Sequence, residues 1–105
     1  MGDATWTIIF SPESLEDLES IVLFIARQNP TRAITFGDDL VDRTDDLEDV
    51  PYSGRIVPEL GIEAIRELLH GSYRIIYRIR AVERSVDILR FWHGSQETLP
   101  DDISR

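Results

Sequence analysis

The chain has 105 residues, no cysteine, 42% apolar content and a formal net charge of −9 at pH 7. That length suits one domain, which buries roughly two-thirds of its extended surface. The composition excludes a disulfide framework and a thiolate zinc site. No apolar run approaches the ~20 residues of a membrane span, and the opening MGDATWTIIF lacks a basic region and a leader cleavage site, so a cytoplasmic protein is expected.

The charge is segregated. Residues 1–50 hold 12 acids and 3 arginines, net −9, whereas residues 51–105 hold 8 of each, net zero. From Ile65 to His93 there are 6 arginines and 3 acids, a local excess of +3. All 11 basic residues are arginine, the side chain whose rigid fork suits carboxylate or phosphate and tolerates partial burial.

In chain order, TWTIIF (Thr5–Phe10) is β-branched and aromatic and reads as a strand. Ser11 is placed to cap a helix with Pro12 in its first turn, and Glu13, Glu16 and Asp17 lie near the positive end of its dipole. Leu15, Leu18, Ile21, Val22 and Ile25 supply a helical apolar stripe. Asn29-Pro30 repeats the start signal, and Ala33, Ile34, Phe36, Leu40, Val41 and Leu47 mark one side of a second helix. The short junction predicts an antiparallel helix hairpin with acidic, solvated outer faces.

Pro51, Gly54, Pro58 and Gly61 punctuate a looser segment with a short strand at Arg55–Val57. AIRELL (Ala64–Leu69), YRIIYRIR (Tyr73–Arg80) and SVDILRFW (Ser85–Trp92) read as three strands. The polar tail, 94–105, is expected to be only partly ordered. The order β-α-α-β-β-β gives an α+β domain spanning 1–105, with the helix hairpin on one face of an antiparallel sheet.

A Gly71-Ser72 type II′ turn pairs His70 with Tyr73, Glu67 with Ile76 and Ile65 with Arg78. Strict alternation then turns Tyr73, Ile75, Tyr77 and Ile79 toward the helices. It leaves Ile65, Glu67, Leu69, Arg74, Ile76, Arg78, Arg80, Leu89, Phe91 and His93 on an uncovered face. Such a mixture of apolar groups and arginine marks an interaction surface; homodimerisation or cover by the tail are the competing accounts of it. Glu67 is expected to bridge Arg74 and Arg78. Arg66 is expected on the helix side with an acidic partner there.

No phosphate loop, HExxH or dinucleotide fingerprint is present, and neither a metal nor a cofactor is expected. His70 falls in a turn. His93, beside the arginines, could move a proton at a phosphodiester whose charge the arginines neutralise.

FSPESLEDLESIVLFIARQNP (Phe10–Pro30), PYSGRIVPEL (Pro51–Leu60), IRELLHGSYRIIYRI (Ile65–Ile79) and ILRFWHGSQE (Ile88–Glu97), in that order and spacing, resemble the ParE/RelE superfamily of toxins from bacterial type II toxin–antitoxin modules. The resemblance implies a cognate antitoxin that wraps the helix hairpin and sheet in a hetero-oligomer. It also implies one of two activities. The RelE-like branch cuts mRNA on the ribosome; Arg74 matches an arginine of that branch, and His93 lies near its general acid or base. That branch also uses lysines at positions that are here Ile65 and Glu67. The ParE-like branch inhibits DNA gyrase without catalysis, and the SPES helix start and Asn-Pro junction are more like it. The net charge of −9 also argues against direct nucleic-acid binding. The expected function is therefore a gyrase-binding toxin neutralised by a ParD-like antitoxin. A ribosome-dependent endoribonuclease using Arg74 and His93, or a non-toxic antitoxin-binding relic, are the alternatives.

Overall fold

Ser11 and Asn29 start the two helices. Ser11 Oγ accepts from the Ser14 amide at 3.0 Å, and Asn29 Oδ1 accepts from the Arg32 amide at 3.0 Å, with Pro12 and Pro30 opening the first turns. Each cap satisfies an amide that the helix itself cannot. The computed structural model describes residues 5–96 and 98–104. Its elements are β1 (Thr7–Phe10), α1 (Pro12–Ala26), α2 (Pro30–Asp45), β2 (Arg55–Ile56), β3 (Ile65–His70), β4 (Tyr73–Arg80) and β5 (Ser85–His93), with short 3-10 turns at Asp46–Glu48 and Asp101–Ser104. No helix among the described residues is long and apolar enough to cross a membrane.

The sheet has the order β1-β5-β4-β3-β2. β2 to β5 form an antiparallel run, and β1 adds to β5 in parallel, so the sheet is mixed where a wholly antiparallel one was expected. The reason lies in the connection: the chain leaves β1 through the helix hairpin and returns along the far side of the sheet, so β5 reaches β1 in the same direction. The β3–β4 register is the expected one, with His70 opposite Tyr73, Glu67 opposite Ile76 and Ile65 opposite Arg78. Gly71, at φ 58°, supplies the left-handed first turn position that a side chain resists.

Two cores flank the sheet. The hairpin side packs Ile21, Phe36 and Leu40 against Ile75, Tyr77, Ile79, Val86 and Ile88. The other side buries Val57, Ile65, Ile76 and Ile103, with Leu60, Leu89, Trp92 and Leu99 packed around them. The face expected to be open is thus roofed by the segment after β2 and by the carboxyl-terminal turn. Ile65 and Ile76 are fully buried, and Ile103 on the tail is 1% exposed. The tail was read as polar, but its two apolar residues, Leu99 and Ile103, are what the sheet face recruits. On the helices, Ile34 was placed on the packed side and is instead 66% exposed.

Alternation breaks in β5. Ile76 faces Arg90 and Tyr77 faces Ile88, leaving Leu89 as an extra residue in a β-bulge. The Leu89 carbonyl is taken instead by Ser11 Oγ at 2.9 Å, where the chain turns from β1 into α1. Beyond the bulge every side chain changes face. Phe91 joins the helix-side core, and Trp92 packs on the tail side.

Candidate functional site

Glu67 projects from the centre of β3 into the tail-side layer, where its side chain has no solvent exposure. A buried carboxylate requires charged or hydrogen-bonding partners. Arg55 Nε binds its Oε2 and Arg74 Nε its Oε1, each at 2.6 Å. The other end of Arg74 is closed by Glu59: its Nη1 and Nη2 donate to Oε2 and Oε1 of that carboxylate, both at 2.7 Å. This parallel pair holds the Glu59 carboxyl down at about 2, against a desolvation that acts the other way. The same bond pushes the Arg74 guanidinium further above its ordinary range. Two arginines and two glutamates therefore form a neutral chain along the sheet.

The other predicted positions sort by the bulge and the roof. Glu67 does not bridge Arg74 to Arg78, as was expected. Arg78 Nη2 donates to the Ile103 carbonyl at 3.1 Å and helps hold the tail. Arg80 pairs with Asp87 at the exposed end of the ladder. Leu69 remains half exposed. Ile65, Glu67 and Ile76 are buried rather than open, and Phe91 lies on the opposite side of the sheet from the one assigned to it. Arg66 finds no helix acid; it binds Glu63 at 2.8 Å and the Gly54 carbonyl at 3.1 Å and stacks over Tyr52.

His93 also lies across the bulge. It stands opposite Tyr73, edge-on to that ring with centroids 5.0 Å apart, and its Nδ1 meets the hydroxyl and amide of Ser95. Arg74 stands opposite Trp92. The two residues offered for phosphodiester chemistry thus occupy opposite faces of the sheet. His70, expected in a turn, instead ends β3 and packs near the Phe36 ring.

Beside His93, a cleft of about 370 Å³ runs between α1 and the end of β5, lined by Asp17, Phe24, Tyr73 and Arg90 among others. Asp17 crosses it, binding Nε and Nη2 of Arg90 at 2.7 and 2.8 Å and the Phe91 amide at 3.0 Å. That pairing pushes the Arg90 guanidinium above its ordinary range. Glu59 was not singled out from sequence, and Asp17 was named only for its place near the start of α1. The available signal was charge balance, because arginines on a largely buried sheet need acids from elsewhere in the chain. The helix hairpin also carries exposed apolar groups: among the described residues, Leu15, Leu23, Phe24 and Ile34 are each at least half exposed.

A two-helix hairpin on a five-stranded mixed sheet, with its second face covered, defines a small α+β domain. A family model described as "ParE toxin of type II toxin-antitoxin system, parDE" matches residues 8–98, and the chain belongs to that family. Among curated proteins it is similar to Toxin RelE1 of Caulobacter vibrioides, with 27% identity over 93 residues, 89% of this chain and 98% of the relative. Among solved structures, the fold is like that of a chain of the chromosomal ParDE system of P. aeruginosa, at a TM-score of 0.72 and 18% identity, covering 87% and 98% of the two chains. It is also like that of a chain of the RelBE2 toxin–antitoxin complex of Mycobacterium tuberculosis, at 0.64 and 24%, covering 85% and 98%.

Proposed function

We propose that this chain is the toxin of a cytoplasmic type II module, that it acts by binding DNA gyrase without catalysis, and that a ParD-like antitoxin neutralises it in a hetero-oligomer. The observation that carries the non-catalytic reading is the separation of Arg74 and His93 onto opposite faces, with Arg74 already paired to Glu59 and Glu67. A general acid and a phosphate-binding arginine must converge on one reacting group. Ile65 and Glu67 stand where the nuclease branch has lysines, and both are buried.

An antitoxin partner is supported by the relatives, whose structures were solved in ParDE and RelBE systems. Leu23, Phe24 and Ile34 are the uncovered apolar groups that such a partner would bury, and the acids around them favour basic residues on it. Among the sheet residues, Leu69 and Arg80 remain reachable for the same purpose. Ile65, Glu67, Ile76 and Phe91 would act only through the shape of the fold.

The test is a supercoiling assay with purified gyrase. Inhibition by the toxin, reversed by the product of the neighbouring gene, is the expected outcome. Unaltered supercoiling at toxin concentrations well above those of gyrase would refute the reading. The name of the Caulobacter relative favours a second reading, ribosome-dependent mRNA cleavage. Transcript cleavage in translating extracts, lost in Arg74→Ala and His93→Ala, would establish it. A chain that harms no cell when expressed alone yet binds its antitoxin would be a relic.

A further inference from the structure

β1 ends the sheet and pairs with β5 alone. In a parallel ladder, alternate residues turn both backbone groups toward the neighbouring strand. The amides of Thr7 and Ser11 reach the Arg84 and Ile88 carbonyls, each at 3.0 Å, so Thr7, Ile9 and Ser11 face β5. Ile8 and Phe10 therefore aim their N–H and C=O groups outward. Among the described residues, no hydrogen bond from another element reaches them. The edge closes before them, where the Trp6 amide donates to the Glu48 carbonyl at 2.9 Å. The strand, TIIF, carries no charge, proline or bulge, the features that usually protect an edge, and Ile9 in its middle is 48% exposed.

We propose that this edge pairs with the same edge of a second copy of the chain, β1 antiparallel to β1, about a two-fold axis at Ile9. The backbone groups are self-complementary in that register. Ile8 stands opposite Phe10 of the second copy, and Phe10 opposite its Ile8, so that each pair exchanges both of its hydrogen bonds. Ile9 meets Ile9 across the axis at the closer, non-hydrogen-bonded spacing, which covers an exposed apolar side chain on each copy. Neighbouring registers are poorer. An axis at Ile8 sets Phe10 against Trp6, whose amide Glu48 already holds. An axis at Phe10 sets Ile8 against Pro12, which has no N–H. Opposite residues of an antiparallel pair share a face, so the axis stands perpendicular to the sheet and carries both helix hairpins to one side of it. The net charge of −9 on each copy opposes association, so the dimer is weak and tightens as salt screens that repulsion. It forms whichever target the toxin has.

The experiment is sedimentation equilibrium of the purified chain at low and high salt, up to about 1 mM, the weak end of specific association. A monomer–dimer equilibrium that tightens with salt is expected. Ile9→Lys sets like charges against each other at the axis and should weaken the dimer at least about tenfold, although it lowers the overall repulsion. Ile9→Thr keeps a β-branched residue in the strand and should weaken it by a smaller factor, which covers a lysine variant that fails to fold. Leu69→Lys is the control: it makes the same charge change at a 53% exposed side chain on β3, remote from β1 in the sheet order, and should leave association unchanged. Amide hydrogen exchange locates the contact. The Ile8 and Phe10 amides should exchange fast in dilute solution and gain protection as concentration rises. A monomer at every concentration and salt overturns the proposal. So does a dimer that both Ile9 variants leave intact, or one lost in Phe24→Lys instead, which places the contact on the helix hairpin. Protection of Ile8 and Phe10 only on addition of the neighbouring gene product assigns the edge to the antitoxin and overturns it too.

Discussion

Asp17 on α1 holds Arg90 on β5 through two bonds of 2.7 and 2.8 Å, and its Oδ2 also accepts the Phe91 amide. One carboxylate thereby fastens the helix hairpin to the part of β5 that has passed the end of β1. Arg90 and Asp17 are 18% and 15% exposed, so water is a poor substitute for either partner. Asp17→Ala leaves the Phe91 amide unpaired and Arg90 with only the longer 3.7 Å contact to Asp102, and should cost about 2–3 kcal/mol. Asp17→Asn should cost less. Urea denaturation checks both; a change below about 0.5 kcal/mol would mean that the pair is merely a surface contact.

Removing Glu67 should be worse than removing any other acid. Glu67→Ala removes the buried acceptor of both Nε groups, leaving Arg74 held by Glu59 alone and a void beside the Ile65–Ile76 core, at about 2–4 kcal/mol. Glu67→Gln keeps the shape and should recover part of that loss. Equilibrium unfolding of the two variants would separate lost charge from lost volume.

Glu59 sets an acid limb in the stability curve. Its carboxyl titrates at about 2 in the folded chain against an ordinary value of 4.5. A depressed folded value contributes stability that is complete above about 4.5 and is lost as pH falls through about 2. Because Glu59 is nearly half exposed, solvent screening makes the contribution small. Glu59→Gln should flatten the stability curve between those two pH values, and added salt should do the same to the native chain. A Glu59→Gln curve parallel to the native one would contradict the assignment.

Gly54 shows how tightly the sheet is closed at β2. A Cβ there would lie 2.5 Å from the Tyr77 hydroxyl and 2.6 Å from the Glu67 carbonyl. Tyr77 is fully buried, its hydroxyl accepting from the Gly54 amide at 2.9 Å and donating to the Pro51 carbonyl at 2.8 Å. Burial pushes that hydroxyl above its usual range, which keeps it a donor at neutral pH. Gly54→Ala should cost about 2–3 kcal/mol through displacement of this ring. Tyr77→Phe, which vacates the same bonds without a clash, should cost about 1–3 kcal/mol.

The tail should behave as part of the fold. Ile103→Ala should destabilise by about 2–4 kcal/mol, because its side chain fills the layer over Ile65 and Ile76. Truncation after 98 should expose that layer and raise binding of a hydrophobic dye. Unchanged thermal melting of both variants would show the roof to be dispensable.

Local signals carried the elements. Ser11-Pro12 and Asn29-Pro30 named both helix starts, because capping and the proline constraint act within one turn. Gly71-Ser72 named the β3–β4 register, because a two-residue turn leaves no freedom to slip. What the sequence alone could not yield was every relation set by contacts distant along the chain. The bulge at Leu89, whose carbonyl is bound by Ser11 from far along the chain, reversed the faces of Phe91 and His93. The roof over Ile65 and Ile76 comes from two apolar residues in a tail whose polar composition hid them. The partners of Arg74 and Arg90 come from a loop and a helix that only folding brings near. Spacing along a strand determines which side chains can share a face. Burial, and the need of each buried charge for an opposite one, decides what that face meets.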